Sequence, residues 1–255
     1  IPETFNELTS YRSEAFGVLS AVYLHIGIQK FKESLGVMDN LAYTYDAGNK
    51  LFKVKDSSGS SEGFKDGIDT AQEYTYDDNG NMIIDQNKGI SEIAYNHLNL
   101  PVKIVKYQGK IEYIYNALGS KLSKTAYELA GIVSPLSYIA VSDMRYLGNF
   151  YYSGASAENV NFFHPEGYVT FLEDNFYYIF SHKDHLGNIR LNYVDYDSDN
   201  AVGSYEILEE NNYYPFGLKH EGYNSDVVLL NKYKYNGKEY QDELSLNLYD
   251  FGARN

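Results

Sequence analysis

The chain has 255 residues and sets 21 Lys and Arg against 35 Asp and Glu, a formal charge of −14. Apolar residues at 44% and charged residues at 22% are globular values and exclude wholesale disorder. The acidic balance argues against nucleic acid and anionic membrane as partners, because both reward basic patches. The lack of Cys removes disulfides, thiol catalysis and cysteine-ligated zinc.

No apolar run is long enough for a membrane span; the longest comparable stretch, residues 16–28, contains His25 and two glycines. No basic, apolar, cleavage-site sequence opens the chain, so a signal peptide is expected outside it. The unusual feature is aromatic: 28 Tyr and 13 Phe accompany 21 Gly, with no Trp. Tyr suits a pleated surface with one wet and one buried end, so this composition predicts an all-β fold of short strands and tight turns.

Residues 1–36 form an N-terminal segment that reads differently from the rest and is unassigned. Pro2, Glu3 and Thr4 can open a helix, and Phe5, Leu8, Phe16, Leu19, Val22, Leu24 and Ile28 supply apolar positions. They hold no single helical stripe, and Gly17 and Gly27 interrupt them, so one or two short helices are expected.

Residues 37–130 carry an internal repeat. Its units are Tyr43-Thr-Tyr-Asp-Ala-Gly-Asn-Lys-Leu, Tyr74-Thr-Tyr-Asp-Asp-Asn-Gly-Asn-Met, Ala94-Tyr-Asn-His-Leu-Asn-Leu-Pro and Tyr113-Ile-Tyr-Asn-Ala-Leu-Gly-Ser-Lys-Leu. The aligned tyrosines, Tyr45, Tyr76, Tyr95 and Tyr115, are 31, 19 and 20 residues apart, and the shorter step is one hairpin. Tyr-x-Tyr puts both rings on one face of a strand. The following Asp or Asn starts a turn by bonding the backbone two residues ahead. A Gly or Asn then supplies positive φ, and Asn79-Gly80 predicts a primed hairpin turn.

Residues 131–255 continue with a different set of blocks. Tyr178-Ile-Phe-Ser-His-Lys-Asp-His-Leu-Gly-Asn-Ile-Arg-Leu is followed by Glu209-Glu-Asn-Asn-Tyr-Tyr-Pro-Phe-Gly-Leu. Tyr233-Lys-Tyr-Asn-Gly-Lys-Glu-Tyr and Leu248-Tyr-Asp-Phe-Gly-Ala-Arg-Asn close the chain. Together with the repeats, this ordered set resembles the YD-repeat, or RHS, family and its repeat-associated core region. His164-Pro-Glu-Gly-Tyr is similar to the family's Bacteroidetes-like branch. The resemblance covers roughly residues 37–255.

The resemblance implies antiparallel β-hairpins forming part of a curved, hollow shell that encloses a variable C-terminal toxin. Its implied partners are the remainder of its own polypeptide, the toxin cargo and a secretion machinery, with a secreted or cell-surface location in bacteria. The alternatives are a cell-surface adhesion or glycan-binding protein, or an autoproteolytic core lacking its downstream acids. Arg254 is the one position that corresponds to the arginine of such autoproteases, and this segment alone is expected to be inert.

Two clusters invite a metal. His182 and His185 offer imidazoles, yet they are three apart on a strand pattern and point to opposite faces, while Asp184 and Asn188 read as turn residues. Asp195, Asp197, Asp199 and Glu206 fall at positions 1, 3, 5 and 12 of a loop, the spacing by which an EF-hand wraps Ca²⁺, with the Ala201 carbonyl at position 7. Asn200 stands where that loop needs Gly, and the flanks read as strands. Ca²⁺ ligation and a solvated acidic hairpin loop both remain open for these residues. The motifs of serine hydrolases, zinc proteases and phosphate-binding loops are missing. A non-catalytic role is therefore expected, with no cofactor besides the candidate Ca²⁺.

Overall fold

A computed structural model describes residues 37–60, 63–131, 136–154, 159–172, 174–199, 201–214, 217–219 and 231–252. The helical expectation for residues 1–36 and the candidate Arg254 lie outside them. The chain divides into a smaller unit, residues 1–44 and 54–66, and a larger one, residues 45–53 and 67–255. In the smaller unit, carboxylates hold the loops. Asp39 Oδ1 accepts the Phe64 N–H at 2.8 Å, and Asp56 Oδ1 accepts those of Asn40 and Ser58 at 2.8 and 2.9 Å.

The fold is all-β. Strands β1 (Leu41–Tyr45) and β2 (Leu51–Asp56) form a separate two-stranded sheet. A sheet of thirteen antiparallel strands follows. Its first members are β3 (Tyr74–Tyr76), β4 (Met82–Asp85), β5 (Ile90–Tyr95), β6 (Pro101–Lys106), β7 (Gly109–Tyr115) and β8 (Lys121–Gly131). It continues through β9 (Ser137–Leu147), β10 (Phe150–Ser153), β11 (Asn159–His164) and β12 (Gly167–Leu172). Strands β13 (Asn175–Lys183), β14 (Ile189–Tyr193) and β15 (Ile207–Glu210) complete it. Each strand pairs with its neighbours in sequence, so β3 and β15 are the two ends of this sheet. Beyond it, β16 (Glu239–Gln241) and β17 (Leu248–Asp250) pair with each other.

The repeat is a turn. At Asp46, Asp77, Asn96, Asn116 and Asp184 the side-chain Oδ1 accepts the N–H groups two and four residues ahead, at 2.7–3.0 Å. The backbone N–H of the same residue donates to the carbonyl four residues on. The third residue after it has positive φ in every copy: Asn49 at 67°, Gly80 at 82°, Asn99 at 58°, Gly119 at 82° and Gly187 at 82°.

The primed turn expected at Asn79-Gly80 is not what forms. Asn79 does not share the positive φ of Gly80, and the register shifts between Thr75 and Tyr76. This is a three-residue loop closed by a left-handed residue and a bulge, because Asp77 caps the turn and removes the need for a second left-handed residue. A Cβ on Gly80 would meet nothing within 4 Å, so only its φ resists substitution. Gly80→Asn should therefore be nearly neutral, as Asn49 and Asn99 show. Gly80→Val should cost about 1–3 kcal/mol in denaturant unfolding.

The faces of the thirteen-stranded sheet differ. One carries the cross-strand row Ile93, Ile104, Ile111 and Ala126, every member buried. Adjoining rows place Tyr113 beside Lys124 and Met144, and Tyr146 beside Tyr151, Asn161 and Thr170. On the opposite face, Leu147, Phe150, Phe162, Val169 and Tyr178 form one row. Phe176 lies on the same face, and it is 68% exposed and Tyr178 62% exposed, so this band of rings faces solvent. No helix among the described residues is long and apolar enough to cross a membrane.

Candidate functional site

Residues 231–250 lie against the buried face of the thirteen-stranded sheet and are fixed there at three places. At the first, Lys234 contacts Glu209, which also accepts from Lys219 at 3.2 Å and from Asn192 Nδ2 at 3.0 Å. Burial pushes the Glu209 carboxyl up, but Lys234 and Lys219 outweigh it and hold it below the ordinary range. The Ile189 N–H donates to the Lys234 carbonyl at 2.9 Å, and the Asn236 N–H to Asn188 Oδ1 at 2.7 Å.

The second place is a buried cluster of charge. Lys124, with a side chain 1% exposed, donates to Glu239 Oε1 at 2.6 Å and to Glu243 Oε1 at 2.7 Å. Lys121 reaches Glu239 Oε2 at 2.9 Å and contacts Asp250. The Tyr146 hydroxyl donates to Glu239 Oε1 at 2.7 Å, and the Tyr113 hydroxyl to Gln241 Oε1 at 2.7 Å. Burial raises the Glu239 carboxyl, yet Lys124 and Lys121 reverse the balance and leave it below its ordinary value. Burial likewise opposes the Lys124 charge, and the two glutamates overcome it and raise its pKa. Such a cluster is stable only because each charge has a partner.

The third place is apolar. Leu246, fully buried, enters the cluster of Ile90, Ile93, Ile104 and Ile111. To do so the chain takes left-handed conformations at Leu244 (51°), Ser245 (55°) and Asn247 (51°), which are uncommon for Leu and Ser. The carbonyls freed by this turn are met by lysines. Lys106 Nζ donates to Ser245 O at 3.0 Å, and Lys88 Nζ to Leu246 O and Asn247 O at 3.3 and 3.4 Å. The chemistry of the seam is that of an anchor: Lys121, Lys124, Lys106 and Lys88 hold acids and carbonyls of residues 231–250, and Lys234 of that segment holds Glu209 of the sheet.

Three of the four acidic residues of the loop come together. Ligand oxygens of Asp195, Asp197 and Asp199 lie within 4.8 Å of one another. Glu206 is engaged elsewhere. It is 1% exposed, and its carboxylate accepts the Tyr196 N–H at 2.7 Å and the Gly203 N–H at 2.8 Å. The side chain that the EF-hand spacing assigned to Ca²⁺ thus ties its own loop together. Glu206→Ala should cost about 1–3 kcal/mol, read in urea, since it removes both charge-assisted bonds that close the loop. Melting in Ca²⁺ and in EDTA decides the rest. A bound ion separates the curves and Asp195→Ala merges them, whereas curves already identical assign a solvated acidic turn.

His182 and His185 are both exposed, and Asp184 organises the turn as expected, also bonding Asn188 Nδ2 at 2.8 Å and Arg190 Nε at 2.8 Å. The sequence reading missed Lys121, Lys124, Glu239, Glu243 and Asp250. Their one sequence signal is the inward phase of Lys124, two residues before buried Ala126 on a strand.

No family model matches the chain, and no curated protein does. Solved structures do. The crystal structure of TcdB2-TccC3 is 17% identical over 83% of this chain, with a TM-score of 0.53. The Photorhabdus luminescens Tc holotoxin pore bearing a TccC3 substitution is 17% identical over 83%, with a TM-score of 0.54. This chain spans only 12% and 11% of the length of those chains. By fold, the chain is similar to a short stretch of these Tc toxin chains.

Proposed function

We propose that this chain is a non-catalytic shell segment of an exported RHS-type toxin, serving to enclose and deliver a variable C-terminal effector. The observation that carries this reading is the sheet itself: thirteen antiparallel strands in strict chain order, joined by repeated Asx-capped turns, with the fold of a stretch of the TcdB2-TccC3 chains. A sheet of paired hairpins can be extended at its ends by further hairpins. The exposed band of Phe150, Phe162, Phe176 and Tyr178 supports association with the remainder of the same polypeptide. The implied setting is secretion from, or display on, a bacterial cell.

The test is limited proteolysis of the full-length polypeptide that contains this chain. An enclosed effector should resist protease while the shell is folded and become sensitive once denaturant opens it. An effector digested equally fast in both states would overturn enclosure. Binding of the folded protein to a panel of surface glycans, with no protected effector, would move the assignment to adhesion.

A further inference from the structure

The buried cluster contains a juxtaposition with a chemistry of its own. Lys121 Nζ contacts Asp250 Oδ2 and lies 2.9 Å from Glu239 Oε2. The three side chains are 11%, 13% and 4% exposed. The Tyr113 and Tyr146 rings each stand 5.4 Å from Nζ and flank the amine. The acceptor carboxyl is fixed at both oxygens. Asp250 Oδ1 accepts the Gly252 N–H at 2.8 Å, while Oδ2 faces the lysine and lies 3.4 Å from Gln241 Nε2. An amine, a carboxyl and a second carboxylate are thus held together in a largely buried, aromatic-flanked site.

We infer that Lys121 and Asp250 join in an intramolecular isopeptide bond, with Glu239 as the proton carrier. The step begins with passage of one Nζ proton to Asp250 Oδ2 within the pair, which presents an amine to a carboxyl. Fixed proximity then replaces a bimolecular encounter. Nζ attacks Asp250 Cγ, and the negative charge that develops on Oδ1 is met by the Gly252 N–H. Glu239 takes a proton from the nitrogen and returns it to Oδ2, which departs as water. One C–N bond forms and one C–O bond breaks. Of the three ammonium protons, one stays on the amide nitrogen and two leave in the water. No oxidant or co-reactant enters.

Lys124 does not offer the same reaction. It sits between two glutamates, neither of which has a backbone N–H placed on its far oxygen as Gly252 is placed on Asp250. The bond would staple β17 to β8 across 129 residues of sequence.

Intact-mass spectrometry of the purified, denatured full chain tests this. The wild type should be lighter than its sequence by one water, and a tryptic digest should contain a branched peptide joining the Lys121 and Asp250 stretches. Lys121→Arg should restore the full mass while the circular dichroism spectrum stays that of β-structure. Asp250→Asn should lose ammonia in place of water, a change that a merely ionic pair cannot produce. Glu239→Gln should leave most of the chain unbonded. A folded wild type that keeps its full mass after prolonged incubation overturns the assignment, whatever the variants do.

Discussion

Lys124→Ala should destabilise the protein by about 3–5 kcal/mol, a large share of the roughly 5–15 kcal/mol that holds a domain together. The lysine is buried and pairs with Glu239 and Glu243 at once, so its loss strands Glu243 and leaves Glu239 to Lys121 alone. Equilibrium unfolding in urea measures the effect. Lys103→Ala is the comparison, because the Lys103–Glu92 pair is 35% and 50% exposed and such pairs are worth about 0–1 kcal/mol. Lys124→Met combined with Glu243→Gln should recover part of the loss by removing the stranded charge. Equal effects for Lys124→Ala and Lys103→Ala would show that the docked segment contributes little to stability.

A cooperative alkaline unfolding is the second large effect expected. Burial, the largest cause in each case, pushes Tyr74, Tyr95 and Tyr233 up to about 12, and drives Tyr146 and Tyr151 higher still with the help of Glu239. In the unfolded chain these phenols ionise near their ordinary value of about 10. The folded state therefore keeps protons that the unfolded state gives up. The stabilisation is complete below about pH 10 and is lost as pH rises through the folded values, by about 1.4 kcal/mol per tyrosine for each unit of pKa difference. The β circular dichroism signal and the tyrosinate absorbance of these residues should change in one step above pH 10. Complete tyrosinate formation with the fold intact would show that the rings are not sealed.

Glu239 adds the opposite edge. Its folded pKa lies below the unfolded one, so its contribution is present above the ordinary glutamate range and lost as pH falls through the folded value.

The turns were legible in the sequence because each is written in consecutive residues. Asp or Asn after Tyr, with Gly or Asn three places on, is enough to specify the loop. What the spacing left undetermined was the turn type at Asn79-Gly80, since the same dipeptide serves a primed turn and a bulged one. The side-chain cap from Asp77 decides between them. Glu206 misled for a related reason: its spacing from Asp195 suits a cation, and it suits a loop closed on two backbone amides equally well. The seam was invisible for another reason. Lys121 and Lys124 meet Glu239 and Asp250 only because a late segment lies across a sheet face, and no local pattern encodes a contact between residues 115–129 apart.

Strict strand order gives this molecule a direction of assembly. Each hairpin of the large sheet needs only the residues next to it in sequence, so loop closure is cheap, and structure can grow strand by strand as the chain emerges. Residues 231–250 are different, for their partners on β7 and β8 are made more than a hundred residues earlier. Until they arrive, Lys121, Lys124 and the isoleucine row lack their cover. Docking of residues 231–250 is then the step that covers the open face of a growing ribbon, and a ribosome stalled before Glu239 would carry a chain with its strands paired and its lysines still waiting.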